Sequence, residues 1–206
     1  MSKILGLIFM ALLAGLLVLG ISGCNSYNGL VTARQLVDKQ WAQVETTYQR
    51  RADLIPNLVS TVSGSANFEK ATLQAVTEAR ASVGQVKLTG GQAPDSPEAL
   101  QRFQAVQDSL GSALSRLLVV AERYPELKAN QGFRDLQVQL EGTENRITVE
   151  RQRFNEVVQV YNSRVQQFPT LLLARLFHFQ PKPYFAASPG AEMAPKVEFN
   201  FNPPVK

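Results

Sequence analysis

The chain predicts an all-α fold, an elongated antiparallel four-helix bundle with coiled-coil-like packing, and three observations carry that expectation. Phe133, Leu140, Ile147, Phe154, Tyr161 and Phe168 recur every seven residues without a polar exception. A seven-residue period keeps one apolar seam on a helix, whereas a half-buried strand would repeat every two. Earlier in the chain Leu30, Val37, Val44 and Leu58 form one such row, with Trp41, Tyr48, Ile55 and Val62 in the next. Between these long patterns stand Gly- and Pro-bearing breaks, placed where helices of a bundle would connect.

The first element is an apolar run over residues 4–21 behind Met1-Ser2-Lys3, a minimal positive n-region. As a helix it would measure roughly 27 Å, close to the hydrocarbon thickness of a bilayer, so length alone allows a cleaved leader or a spanning anchor. Its end favours the leader. Ile21-Ser22-Gly23-Cys24 supplies small residues at a peptidase site and then a thiol, the chain's only Cys. Cleavage between Gly23 and Cys24 would leave Cys24 first in the mature chain, acylated on thiol and amine. Two or three acyl chains anchor stably, because each buried methylene adds about 0.8 kcal/mol. This lipid anchor places the domain on the extracytoplasmic side, and Asn25 favours the outer membrane where the organism has one. The alternative is an uncleaved single-pass membrane protein.

The first long helix is expected over about residues 27–62. Pro56 lies inside it, removes the hydrogen bond to the Ala52 carbonyl and predicts a kink. A shorter helix carries Phe68, Ala71, Ala75, Val76, Ala79 and Val83 and gives way at Gly84 to a linker containing Thr89-Gly90-Gly91. Asp95-Ser96-Pro97-Glu98 then reads as a helix start, with Ser96 capping and Pro97 in the first helical position. Leu100, Phe103, Val106, Leu110, Leu114, Leu117 and Ala121 continue that helix to Tyr124-Pro125. Residues 124–132 read as a connection. The last long helix, of about 36 residues, ends at Pro169. Beyond it come an apolar stretch, residues 171–179, expected to fold back over the bundle end, and a Pro-rich tail suited to extended docking. The expected organisation is a leader or anchor over 1–23, a helical domain over 24–168, and an apolar segment with its tail over 169–206.

Composition narrows the chemistry. The net charge of +4 is interspersed, without the Lys/Arg block that nucleic acid would need. One Cys excludes an intramolecular disulfide framework, so packing must hold the domain. His178 is the only histidine, which removes His-based metal pairs and Ser-His-Asp or Cys-His sets. No cofactor or metal is expected, and an enzyme reading survives only as a carboxylate-based site drawn from the 17 acidic residues.

The polar residues with positional meaning lie on the long helices. Arg51 occupies the apolar row between Val44 and Leu58, and burial would require it to pair, with Glu144 or Glu69 as acceptors, or to snorkel. Glu144, Arg151, Asn155 and Asn162 are spaced to share one face of the last helix. These six residues, Arg51, Glu69, Glu144, Arg151, Asn155 and Asn162, form a candidate polar layer that sets helix register. A groove for a ligand or partner peptide is the sharper alternative.

Several blocks stand in an order that resembles the LemA family. They are Tyr27-Asn28, Trp41, Arg51-Ala52-Asp53-Leu54-Ile55-Pro56-Asn57-Leu58-Val59, Glu69, Ala79-Arg80, Tyr124-Pro125-Glu126-Leu127-Lys128-Ala129-Asn130, Thr143-Glu144-Asn145-Arg146-Ile147 with Arg151, Tyr161-Asn162 and Phe168-Pro169. The resemblance covers about residues 27–185. It implies a membrane-anchored bacterial helical protein without assigned catalytic residues, many of whose relatives carry a transmembrane helix where this chain has Gly23-Cys24. The function expected is a non-enzymatic envelope scaffold or adaptor, touching membrane lipid through acylated Cys24 and an envelope protein as partner, with homo-oligomerisation open. The alternatives are a single-pass relative with a membrane-organising role and an envelope enzyme.

Overall fold

The computed structural model describes residues 2–65, 68–85 and 92–186. The linker glycines Gly90 and Gly91, the neighbouring Thr89, and the tail aromatics Phe199 and Phe201 lie outside the described residues. Among those described the fold is all-α and elongated, with six helices rather than the four expected. They are α1 (Ser2–Ser63), α2 (Lys70–Gln85), α3 (Pro97–Ala121), α4 (Pro125–Ala129), α5 (Gln131–Gln166) and α6 (Thr170–Leu176). The four-helix expectation fails because α4 occupies the supposed 124–132 connection and α6 the apolar stretch after Pro169. Elements of five and seven residues are too short to show a period. α1 pairs with α5 and α2 with α3, while α6 rests on both α1 and α5.

Local chemistry explains the boundaries. Ser96 caps α3 by accepting from the Ala99 amide at 3.2 Å, with Pro97 opening the helix. Asn130 caps α5 through the Phe133 amide, also at 3.2 Å. α1 is one helix of 62 residues that runs unbroken through the expected cleavage point and through Pro56. No Pro stands between Ile21 and Tyr27, the helix continues through Gly23 and Asn25, and the exposed Cys24 sits on its surface. Among the described residues no helix is long and apolar enough to cross a membrane. The side chains of Ile4, Leu5, Ile8, Ala11, Val18 and Leu19 within the apolar run are outside that description.

Pro56 leaves the Ala52 carbonyl without its helical donor, and Arg80 of α2 replaces it through Nε at 3.1 Å. The helix break in hydrogen bonding thus becomes a tie between α1 and α2. Pairs Gly29–Arg164, Gln40–Glu150 and Arg51–Glu144 show α1 and α5 running antiparallel.

The core has two parts. Near the N-terminal half of the domain Val37, Trp41, Tyr48, Phe103, Phe154 and Tyr161 pack with Ala174 and Phe185. Farther along α1, Ile55, Leu58 and Val62 pack with Val76, Leu110, Leu117, Phe133 and Leu140. Residues 169–186 therefore contribute to the first core, with Ala174 and Phe185 inside it.

Candidate functional site

Arg51 lies between the two cores with only 3% of its side chain exposed. Its Nη1 donates to Glu144 Oε2 at 3.0 Å, and its Nη2 donates to the Gln107 carbonyl at 3.0 Å and to Gln107 Oε1 at 2.6 Å. The guanidinium also sits 5.1 Å from the Tyr48 ring centre, a favourable cation–π distance. One donor, Arg51 Nε, has no acceptor among the described groups. The node joins α1, α3 and α5. Glu144 is 57% exposed, so it reaches inward from the surface and keeps much of its hydration.

Glu69 lies elsewhere. It accepts from the Thr72 hydroxyl at 3.2 Å at the start of α2 and pairs with Arg123 at 3.5 Å. Arg151, Asn155 and Asn162 also leave the Arg51 node, because their face of α5 receives the chain's own tail. Seven residues of helix advance roughly 10.5 Å, about the length of three residues of extended chain. Asn162 and Asn155 accordingly meet Lys182 and Phe185. Asn162 Nδ2 donates to the Lys182 carbonyl at 2.9 Å and its Oδ1 accepts from the Lys182 amide at 2.8 Å. Asn155 repeats the pair with Phe185 at 3.0 and 2.9 Å. Tyr161 donates to the Gln180 carbonyl at 3.0 Å, and Arg151 Nη2 to the Ala186 carbonyl at 3.2 Å. Burial pushes the Tyr161 pKa up, which keeps its hydroxyl a donor.

The chain enters this track through a Schellman turn at the end of α6. His178 takes φ 58°, and the Phe179 amide donates to the Ala174 carbonyl at 2.8 Å. Along the track Phe185 is buried, its ring stacked 6.0 Å from Trp41, edge-on to Phe154 at 5.4 Å, and covered by Arg151 at 4.7 Å. Lys182 is buried too. Its Nζ donates to the Ala93 carbonyl at 2.8 Å and to Asp95 Oδ1 at 2.6 Å, tying the tail to the start of α3. Tyr184 between them points outward and is 46% exposed.

Trp41 carries an indole N–H with no acceptor in hydrogen-bond geometry. The Glu45 carboxyl one turn on has its pKa raised by burial, an effect that the nearby indole partly offsets. Tyr48 is likewise raised, first by burial, against the lowering pull of Arg151 and Arg51.

An open groove of ≈ 800 Å³ passes the Arg51 node between α3 and α5. Leu114, Leu118 and Leu140 line it together with Asp108, Ser112 and Glu141. Among the described residues no group of three or more His, Cys, Asp or Glu is placed to hold a metal ion.

Gln107 and Lys182 are the two members of this arrangement that sequence reasoning missed. Gln107 carried a readable signal: Leu100, Phe103, Gln107, Leu110, Leu114, Leu117 and Ala121 alternate by three and four, the spacing of a buried seam. Choosing the apolar Val106 over that spacing hid it. Lys182 carries no such signal, since a Lys among prolines reads as solvated.

Residues 40–199 match the model of the LemA family. Among curated proteins the chain is similar to magnetosome proteins MamQ 2 and MamQ 1 of Paramagnetospirillum magneticum, each 25% identical over 182 residues. It is also similar to magnetosome protein MamQ of Magnetospirillum gryphiswaldense, at 24% over 181 residues. These matches cover 81% of this chain and 66% of each relative, so the chain spans just under two thirds of the relatives' length. With the family model covering most of the chain and the α1–α5 frame built from the same blocks, the chain belongs to the LemA family of membrane-associated helical proteins.

Proposed function

We propose that this protein is a lipid-anchored, non-enzymatic scaffold or adaptor of the bacterial envelope, held on the extracytoplasmic side through acylated Cys24. One observation carries the reading. The polar side chains most suited to a site are engaged by the protein itself: Arg51 by Gln107 and Glu144, and Asn155 and Asn162 by the tail backbone. Such groups hold a surface in shape; they are not poised toward a substrate. Cys24, exposed on α1 directly after the small pair Ser22-Gly23, supports the anchor. An envelope protein is the partner such a scaffold serves, and the open α3–α5 groove is a surface free to receive one. The relatives named as magnetosome proteins fit a part played in a cellular assembly.

Alanine replacement of Glu144 and of Arg151 tests this reading, with thermal melting and complementation of a deletion strain measured on the same variants. For a scaffold, complementation falls only as far as stability or capture of the envelope partner falls, since Glu144 also lines the groove. A variant that melts like the parent and still captures its partner yet fails to complement would point to a catalytic role and contradict the proposal.

A further inference from the structure

Helix α6 turns an apolar face outward at the same end of the molecule as the N-terminal anchor. Its inner face is covered, with Ala174 1% exposed in the first core, whereas Leu172 and Leu176, one turn apart, are 60% and 68% exposed. Phe168 and Phe177 extend the patch at 79% and 51% exposure. A patch of large apolar side chains on one short helix and its two flanks marks a contact surface.

Position and charge say what covers it. The Phe177 ring packs edge-on against Tyr27 of α1 at 4.8 Å. Tyr27 stands three residues, roughly 4.5 Å of helix, beyond Cys24. The α6 face is thus level with the point at which an acylated Cys24 would enter the bilayer. No Asp or Glu occurs in residues 1–37 or 157–191, while Arg164 and the exposed Arg175 do, and Asp95, which shares a cavity with His178, is paired with Lys182. Aromatic and Leu side chains with interspersed Arg and no acid are the composition of a segment lying in the headgroup region of an anionic membrane.

From this geometry we infer that α6, with Phe168, Leu172, Leu176 and Phe177, is an interfacial lipid contact seated in the outer layer of the bilayer that holds the N-terminal anchor. It rests on the membrane-anchor reading and adds to it a second point of attachment. Two attachments restrict the tilt of the helical body, presenting the α3–α5 groove in a defined direction.

The test uses the full lipidated chain in phosphatidylcholine vesicles containing phosphatidylglycerol, with or without bromine on the acyl chains. Leu172→Trp places a fluorophore on the exposed face without touching the core, and the fully buried Trp41 serves as an internal reference. Brominated lipid should lower the emission added at position 172 about twofold, as expected for a ring at the acyl boundary, and leave the parent's emission unchanged. Flotation in the same samples reports anchorage. A chain that floats with equal emission in both lipids overturns the α6 contact and leaves the anchor standing. Loss of quenching together with crosslinking of position 172 between two chains overturns it in favour of a second copy as the occupant. A chain that does not float overturns the anchor reading and the α6 contact with it.

Discussion

At the residue scale the Arg51 node shows why one polar layer is kept inside an apolar body. A buried guanidinium loses several kcal/mol of hydration and must recover it from specific acceptors. Gln107 provides two and Glu144 a charged one, and only one register of α1, α3 and α5 brings all three together. Arg51→Met should cost about 2 kcal/mol in urea unfolding, because it leaves the buried Gln107 amide without its donor. The double variant Arg51→Met with Gln107→Leu should recover most of that loss. Simple addition of the two single effects would show that the groups act independently. Glu45 gives a pH signature of opposite sign to an ordinary paired carboxylate. Its folded pKa lies above the unfolded value, so it weakens the protein as pH rises from 4.5 through the raised folded value. Glu45→Gln should therefore melt above the parent at pH 7, with the gap closing on acidification. A gap that persists below pH 4 would assign the effect to packing instead.

The elements differ in how far their sequence announces them. α1 and α5 were legible because dozens of residues repeat one pattern, and α3 because Ser96-Pro97-Glu98 marks its start. α4 and α6 were not, since each lies within one or two turns and owes its helicity to packing. The 182–186 track was half legible. The seven-residue step from Asn155 to Asn162 was visible on one face of α5, but its partner was a strand-like segment with no period of its own. That step matches three extended residues, and this turns two exposed-looking amides into a backbone clamp. Asn162→Ala should strand the buried amide and carbonyl of Lys182 at a cost of about 3 kcal/mol, with faster hydrogen exchange at Lys182 and Phe185. Unchanged exchange at both amides would mean that Phe185 packing alone holds the tail.

For the whole molecule, α1 is the member that joins every part. It is roughly 93 Å long over Ser2–Ser63 and lines both cores. Arg80 ties it to α2 at the Pro56 gap, α5 runs back along it, and α6 packs at the Tyr27 level. The proposed anchor at Cys24 would thereby be linked to the α3–α5 groove through the continuous part of α1 that follows it. The composition that excluded His- and Cys-based chemistry was readable from the start. The direction in which the groove faces was not, because it depends on where the tail and α6 come to rest. The lipid anchor is the claim on which the envelope role turns, and intact-mass and N-terminal peptide spectrometry on protein extracted from its own membranes tests it most directly. A mature chain that begins at Cys24 with diacylglycerol on its thiol is the expected result. A chain that keeps residues 4–21 and a free Cys24 thiol would contradict it.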